Sequence, residues 1–130
     1  MKVLLLVLVV TFFGVGCSSV ESLRPGEGGV TVVFHDTDYD RVWDAVVKTA
    51  TRNLHVVEST KEAGVIRAEY GATAWSWGEV VGVFVNPTRN GAAEYVVEVQ
   101  TLRRYKLQVT GPDLASEFIS DLKAELGESQ

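Results

Sequence analysis

Three strand-like segments between residues 65 and 104 constrain this chain more than any other feature. Residues 65–73 set Ile66, Ala68 and Tyr70 against Val65, Arg67 and Glu69, the two-residue period of a strand with one buried face. Residues 79–86 carry valine at both alternations, which predicts a central strand covered on both sides. Residues 94–104 return to alternation, with Tyr95, Val97 and Val99 opposed to Glu94, Glu98 and Gln100. The dipeptide Asn90-Gly91 between the last two segments is a strong hairpin signal. Residues 30–35 and 54–59 are shorter β-branched runs and predict two more strands.

Two helices complete the pattern. Tyr39, Val42, Trp43, Val46, Val47 and Ala50 recur at helical spacing, with Thr37 or Asp38 placed to cap the start and Asn53 to end it. Near the C-terminus, Thr110-Gly-Pro-Asp113 reads as a helix opening in which Thr110 caps. Leu114, Phe118, Ile119, Leu122 and Leu126 then form the buried stripe. The predicted order is β-α-β-β-β-β-α. The expected fold class is α+β: a two-layer sandwich in which a mainly antiparallel sheet of about five strands carries both helices on one face.

The chain starts differently. Lys2 precedes an unbroken apolar run over residues 3–10, extended by Thr11-Phe12-Phe13, and small residues lead to Cys17. This is the charged, apolar, small-residue order of a secretory signal peptide. As a helix, residues 3–16 would span roughly 21 Å. That is short of the about 30 Å hydrocarbon core, so a membrane-spanning reading fits poorly. Four segments follow: a signal peptide over residues 1–16, a tether over 17–29, a single domain over 30–127 and a short tail over 128–130. Pro25 and the glycines of the second segment oppose both helix and strand, which predicts a flexible stand-off.

Gly14-Val15-Gly16-Cys17 resembles the lipobox of bacterial lipoproteins. Gly14 stands where that family usually has leucine. The resemblance implies cleavage between Gly16 and Cys17 and lipidation of the Cys17 sulfur, hence a membrane partner through a lipid anchor. Two or three acyl chains would make such attachment stable. Ser18, in place of an aspartate, implies sorting to the outer membrane, facing the periplasm. The segment from Tyr39 to Val46, Glu62-Ala-Gly-Val-Ile-Arg67, and the pair of strands around Asn90-Gly91 are similar to a group of small bacterial envelope lipoproteins. Their layout also resembles the folded domains of a lipoprotein component of the outer-membrane β-barrel assembly machine. This second resemblance covers about residues 30–127 and implies a fold and a compartment. It brings no catalytic residue.

The chain has 130 residues and a formal net charge of -5, so it lacks the positive charge that drives nucleic-acid binding. Its one cysteine can form neither an internal disulfide nor a cysteine-based metal cluster. His35 and His55 would need to converge with an acid such as Asp36 or Asp38 to hold zinc, and no spaced metal motif is present. No nucleophile motif or phosphate-cradling loop is present either. Neither a cofactor, a metal nor a catalytic residue is therefore expected. Glu69, Glu79, Glu94 and Glu98 are expected on a solvated sheet face.

Trp75 and Trp77 either cover a sheet edge or form a docking patch. Arg103 and Arg104, with Lys106, either protect a sheet edge or touch anionic groups. The expected function is a non-enzymatic binding or assembly module of the envelope, with an envelope protein as partner. The alternatives are a binder of a small lipid or glycan near Trp75 and Trp77 and, last, an envelope hydrolase.

Overall fold

The computed structural model describes residues 19–71, 78–88, 93–104 and 112–128. Its sheet has five antiparallel strands: β1 (Val30–Phe34), β2 (His55–Thr60), β3 (Val65–Tyr70), β4 (Glu79–Pro87) and β5 (Tyr95–Arg103). Their spatial order is β1-β5-β4-β3-β2. Helix α1 (Tyr39–Asn53) joins strands at opposite edges and therefore crosses the sheet, while α2 (Leu114–Leu126) packs beside it against β1 and β5. The observed order is the expected β-α-β-β-β-β-α, with both helices on one face.

Each helix begins at a carboxylate. The Asp38 side chain accepts from the Arg41 N–H at 2.8 Å and caps α1. The cap of α2 is Asp113, which accepts from the Ser116 N–H at 3.2 Å, rather than the expected Thr110, which lies outside the described residues. Gly127, in the left-handed region at φ 78°, closes α2.

The main core lies between helices and sheet. Val42, Trp43, Val46 and Ala50 of α1 meet Ile66, Val81, Val83, Val97 and Val99 of the strands and Phe118, Ile119 and Leu122 of α2. Tyr39 stacks on Trp43 with ring centroids 6.2 Å apart and tilts against Tyr95 at 5.7 Å. Its hydroxyl donates to the Lys61 carbonyl, tying the start of α1 to the β2–β3 turn.

The opposite face of the sheet is also covered, in contrast to the expectation for the tether. Residues 19–29 do not stand off from the domain. A short 3-10 turn, Val20–Ser22, places Val20 and Leu23 together, and both are buried on Val80 and Phe84 of β4. The lack of side chain at Gly82 makes room: a Cβ there would sit 3.1 Å from Leu23. Polar contacts hold the same segment. The Gln100 amide donates to the Arg24 carbonyl, and the Gly26 N–H donates to Glu98 at 2.8 Å. Arg67 reaches the Leu23 carbonyl at 3.4 Å. Glycine and proline do keep α-helix and strand out of this segment, yet two apolar residues three apart suffice to dock the strap.

This cover corrects the expectation of a solvated carboxylate face. Glu98 is buried beneath the strap and Glu79 at the end of β4, while Glu69 and Glu94 remain partly exposed. Alternation places Glu98 on the face away from the helices, and the strap removes that face from water.

Candidate functional site

Gly16, Cys17, Trp75 and Trp77 lie outside the described residues. Arg103 and Arg104 are described, and they do not form one cationic patch. Successive residues at a strand end point to opposite faces. Arg103 lies opposite Glu79 in the ladder, its Nε 3.7 Å from the carboxylate. Arg104 instead pairs with Glu69, which shares a face with Val80, and its N–H donates to the Gly78 carbonyl at 3.2 Å. Each guanidinium is thus matched to its own acid.

The two histidines do not converge. His35 follows β1, and His55 begins β2 at the other edge of the sheet. The Nδ1 of His35 lies 2.8 Å from Glu94, which also accepts from the Thr88 hydroxyl at 3.2 Å. The His35 contact, aided by Thr88, holds the Glu94 carboxyl below its usual pKa. Among the described residues, no group of three His, Cys, Asp or Glu side chains could hold a metal ion. Among the same residues, no helix is long and apolar enough to cross a membrane.

Among the described residues, one concave site lies between the layers, where α1 ends and α2 begins. A cavity of about 210 Å³ opens there. Val81 of β4 and Tyr70 of β3 form its floor, and Leu114 and Phe118 of α2 form one wall. Thr49 and Asn53 of α1, with Leu54 just beyond, form the other. Glu117 and Asp121, one helical turn apart on α2, stand at its rim. The Thr49 side chain is 2 % exposed and its hydroxyl has no hydrogen-bond partner. A buried hydroxyl left unpaired is costly and marks a place where a ligand or water group would be welcome.

Glu79 lies one alternation along β4 from Val81, on the same face. It is 2 % exposed, and one of its oxygens has no hydrogen-bond partner. Burial pushes its pKa up; Arg103 opposes the shift and Asp113 adds to it. Because the folded value exceeds the unfolded one, folding favours the protonated acid. That contribution is full below the unfolded pKa and is lost as pH rises through the folded pKa. Glu79→Gln is therefore expected to be more stable than the wild type at neutral pH. It should also lose the part of the pH dependence that favours acid. Thermal melts from about pH 4 to about pH 8 would measure both effects.

The cavity was not legible as a motif. Thr49 carried the one available signal, a polar residue on the helix stripe of Val42, Val46 and Ala50. Tyr70, Val81 and Phe118 are remote in sequence and meet only through the topology.

No protein-family model matches the chain, and no curated protein matches it. Among solved structures, it is similar to the crystal structure of Ara h 8.0201, at 13% identity and a TM-score of 0.35, over 77% of this chain and 97% of that one. So loose a superposition assigns neither a family nor a function.

Proposed function

We propose that this chain is a lipid-anchored lipoprotein of the bacterial envelope whose domain acts as a non-enzymatic binding or assembly module. The leader supports the anchor: it combines an apolar run too short to span a bilayer with small residues directly before Cys17. One structural observation carries the reading further. Among the described residues, the first packed side chain is Val20, three residues beyond Cys17, and it and Leu23 are buried on the sheet face away from the helices. Three extended residues reach about 10 Å. An acylated Cys17 would hold that face close to the membrane and turn the helical layer, with its interlayer cavity, outward to the periplasm. A partner protein or small molecule would meet the helical side.

A hydrolase is the weaker reading. His35 is engaged with Glu94 at one sheet edge, and His55 lies at the other, so neither supports the other in a catalytic pair.

Labelling cells with a fatty acid tests the anchor. The wild-type chain is expected to take up label, and Cys17→Ala is expected to lose it entirely. Equal labelling of both, or of neither, sinks the proposal. In-cell crosslinking from the exposed surface of α2 is then expected to trap a dominant envelope protein.

A further inference from the structure

We infer that the cavity between α1, α2 and the sheet is a binding site for a small organic cation: a primary amine attached to one aromatic ring or a short alkyl chain. The inference rests on the binding-module reading of the domain, though not on the anchor at Cys17.

Size sets the first limit. The cavity measures about 210 Å³. An apolar cavity of about 150 Å³ takes up benzene, so this one admits a ring with a two- or three-atom extension. It is too small for the drug-sized or lipid-sized molecules that occupy pockets of about 300 Å³ and more. Chemistry sets the second. Val81, Leu114 and Phe118 provide an apolar bed for the ring or chain.

Charge sets the third. The ionisable acids at the opening are Glu117 and Asp121, and neither Lys nor Arg is among the described residues that line it. An anionic ligand would be repelled, whereas an ammonium group is attracted. Thr49 lines the same wall, and its hydroxyl, buried and without a partner, becomes a hydrogen-bond acceptor for that ammonium once the side chain turns toward the cavity. The Tyr70 ring on the floor adds a π face to the same environment. The apolar bed and the Thr49 hydroxyl accommodate a small amphipathic molecule, and the acidic rim selects an amine over an alcohol or a carboxylate.

The test uses the full chain in nanodiscs of zwitterionic lipid, with empty nanodiscs as the baseline. The probe is para-fluorophenethylamine, observed by fluorine NMR, and para-fluorophenylacetate is its anionic counterpart. Saturable binding of the amine above baseline, with none of the acetate, is expected. Thr49→Val keeps the shape and removes the acceptor, and it should weaken amine binding about tenfold. The surface pair Glu117→Gln and Asp121→Asn leaves the core untouched, so folding is secure, and should weaken binding to a similar degree. Equal binding of both probes overturns the charge selection. No saturable binding, or binding unchanged in both variants, overturns the site. Cys17→Ala should bind the amine as the wild type does. A failed fatty-acid labelling would therefore leave this result standing, and a failed titration would leave the anchor standing.

Discussion

Leu122→Ala is expected to lower the unfolding free energy by about 3 kcal/mol, within the span of about 2–5 kcal/mol found for large-to-small changes in a core. Leu122 is fully buried, in the layer where α2 meets α1 and the sheet. Truncation removes apolar contact and leaves a void that neighbours on three elements cannot close together, because interiors are packed as densely as crystals. The ion pairs from Glu125 to Lys48 and Arg52 join the same two helices at the surface, but they cannot refill the void. Urea titration would show a lower midpoint with an unchanged slope. Ala124→Ser, on the exposed side of the same helix, should change stability by no more than about 0.5 kcal/mol. A Leu122→Ala midpoint equal to the wild type would mean that α2 is not part of the cooperative core.

Gly64→Ala is expected to cost a similar amount, about 3 kcal/mol, for a different reason. Gly64 ends the β2–β3 turn at φ 65°, a conformation that side chains rarely adopt. An added Cβ would stand 2.2 Å from the Val85 carbonyl oxygen. That oxygen belongs to backbone and cannot swing aside. The Gly64 carbonyl also accepts from the Val85 N–H at 2.8 Å, so relieving the clash pulls apart the β3–β4 ladder at its end. Gly71→Ala is the matched contrast. It has open space and no positive φ, and it should be neutral or stabilising by up to about 0.5 kcal/mol. Equal melting temperatures for the two variants would refute the steric account.

Much of the fold can be read from the strands themselves. Valine at both alternations of β4 foretells burial on both sides, and the strand is buried from Glu79 to Val85. The stripe on α1 is legible down to its end at Asn53, because helical period and capping chemistry coincide. What escapes the sequence depends on a second segment arriving from elsewhere. Glu98 and Gln100 look solvent-facing because alternation reports only which side of a sheet a residue takes. Whether that side stays wet depends on residues 19–29, whose two apolar side chains sit among serine, proline and glycine. His35 and His55 look like neighbours only if β1 and β2 pair, and the edge-to-edge crossing of α1 separates them. The cavity is a product of the same topology, assembled from both helices, β3 and β4. Its acidic rim reads in sequence as an ordinary helix surface.

The strap moves the working boundary of the domain. A fragment cut at Val30, where the first strand begins, would retain every strand and both helices, yet it would bare Val80 and Phe84 along the middle of the sheet. The same cut would strip Glu98 of its backbone donor and Gln100 of its backbone acceptor, leaving polar atoms placed for partners that no longer exist. Such a fragment should self-associate through that newly wet strip. A shortened form of the chain should therefore begin at Ser19, so that it carries its own lid for the sheet.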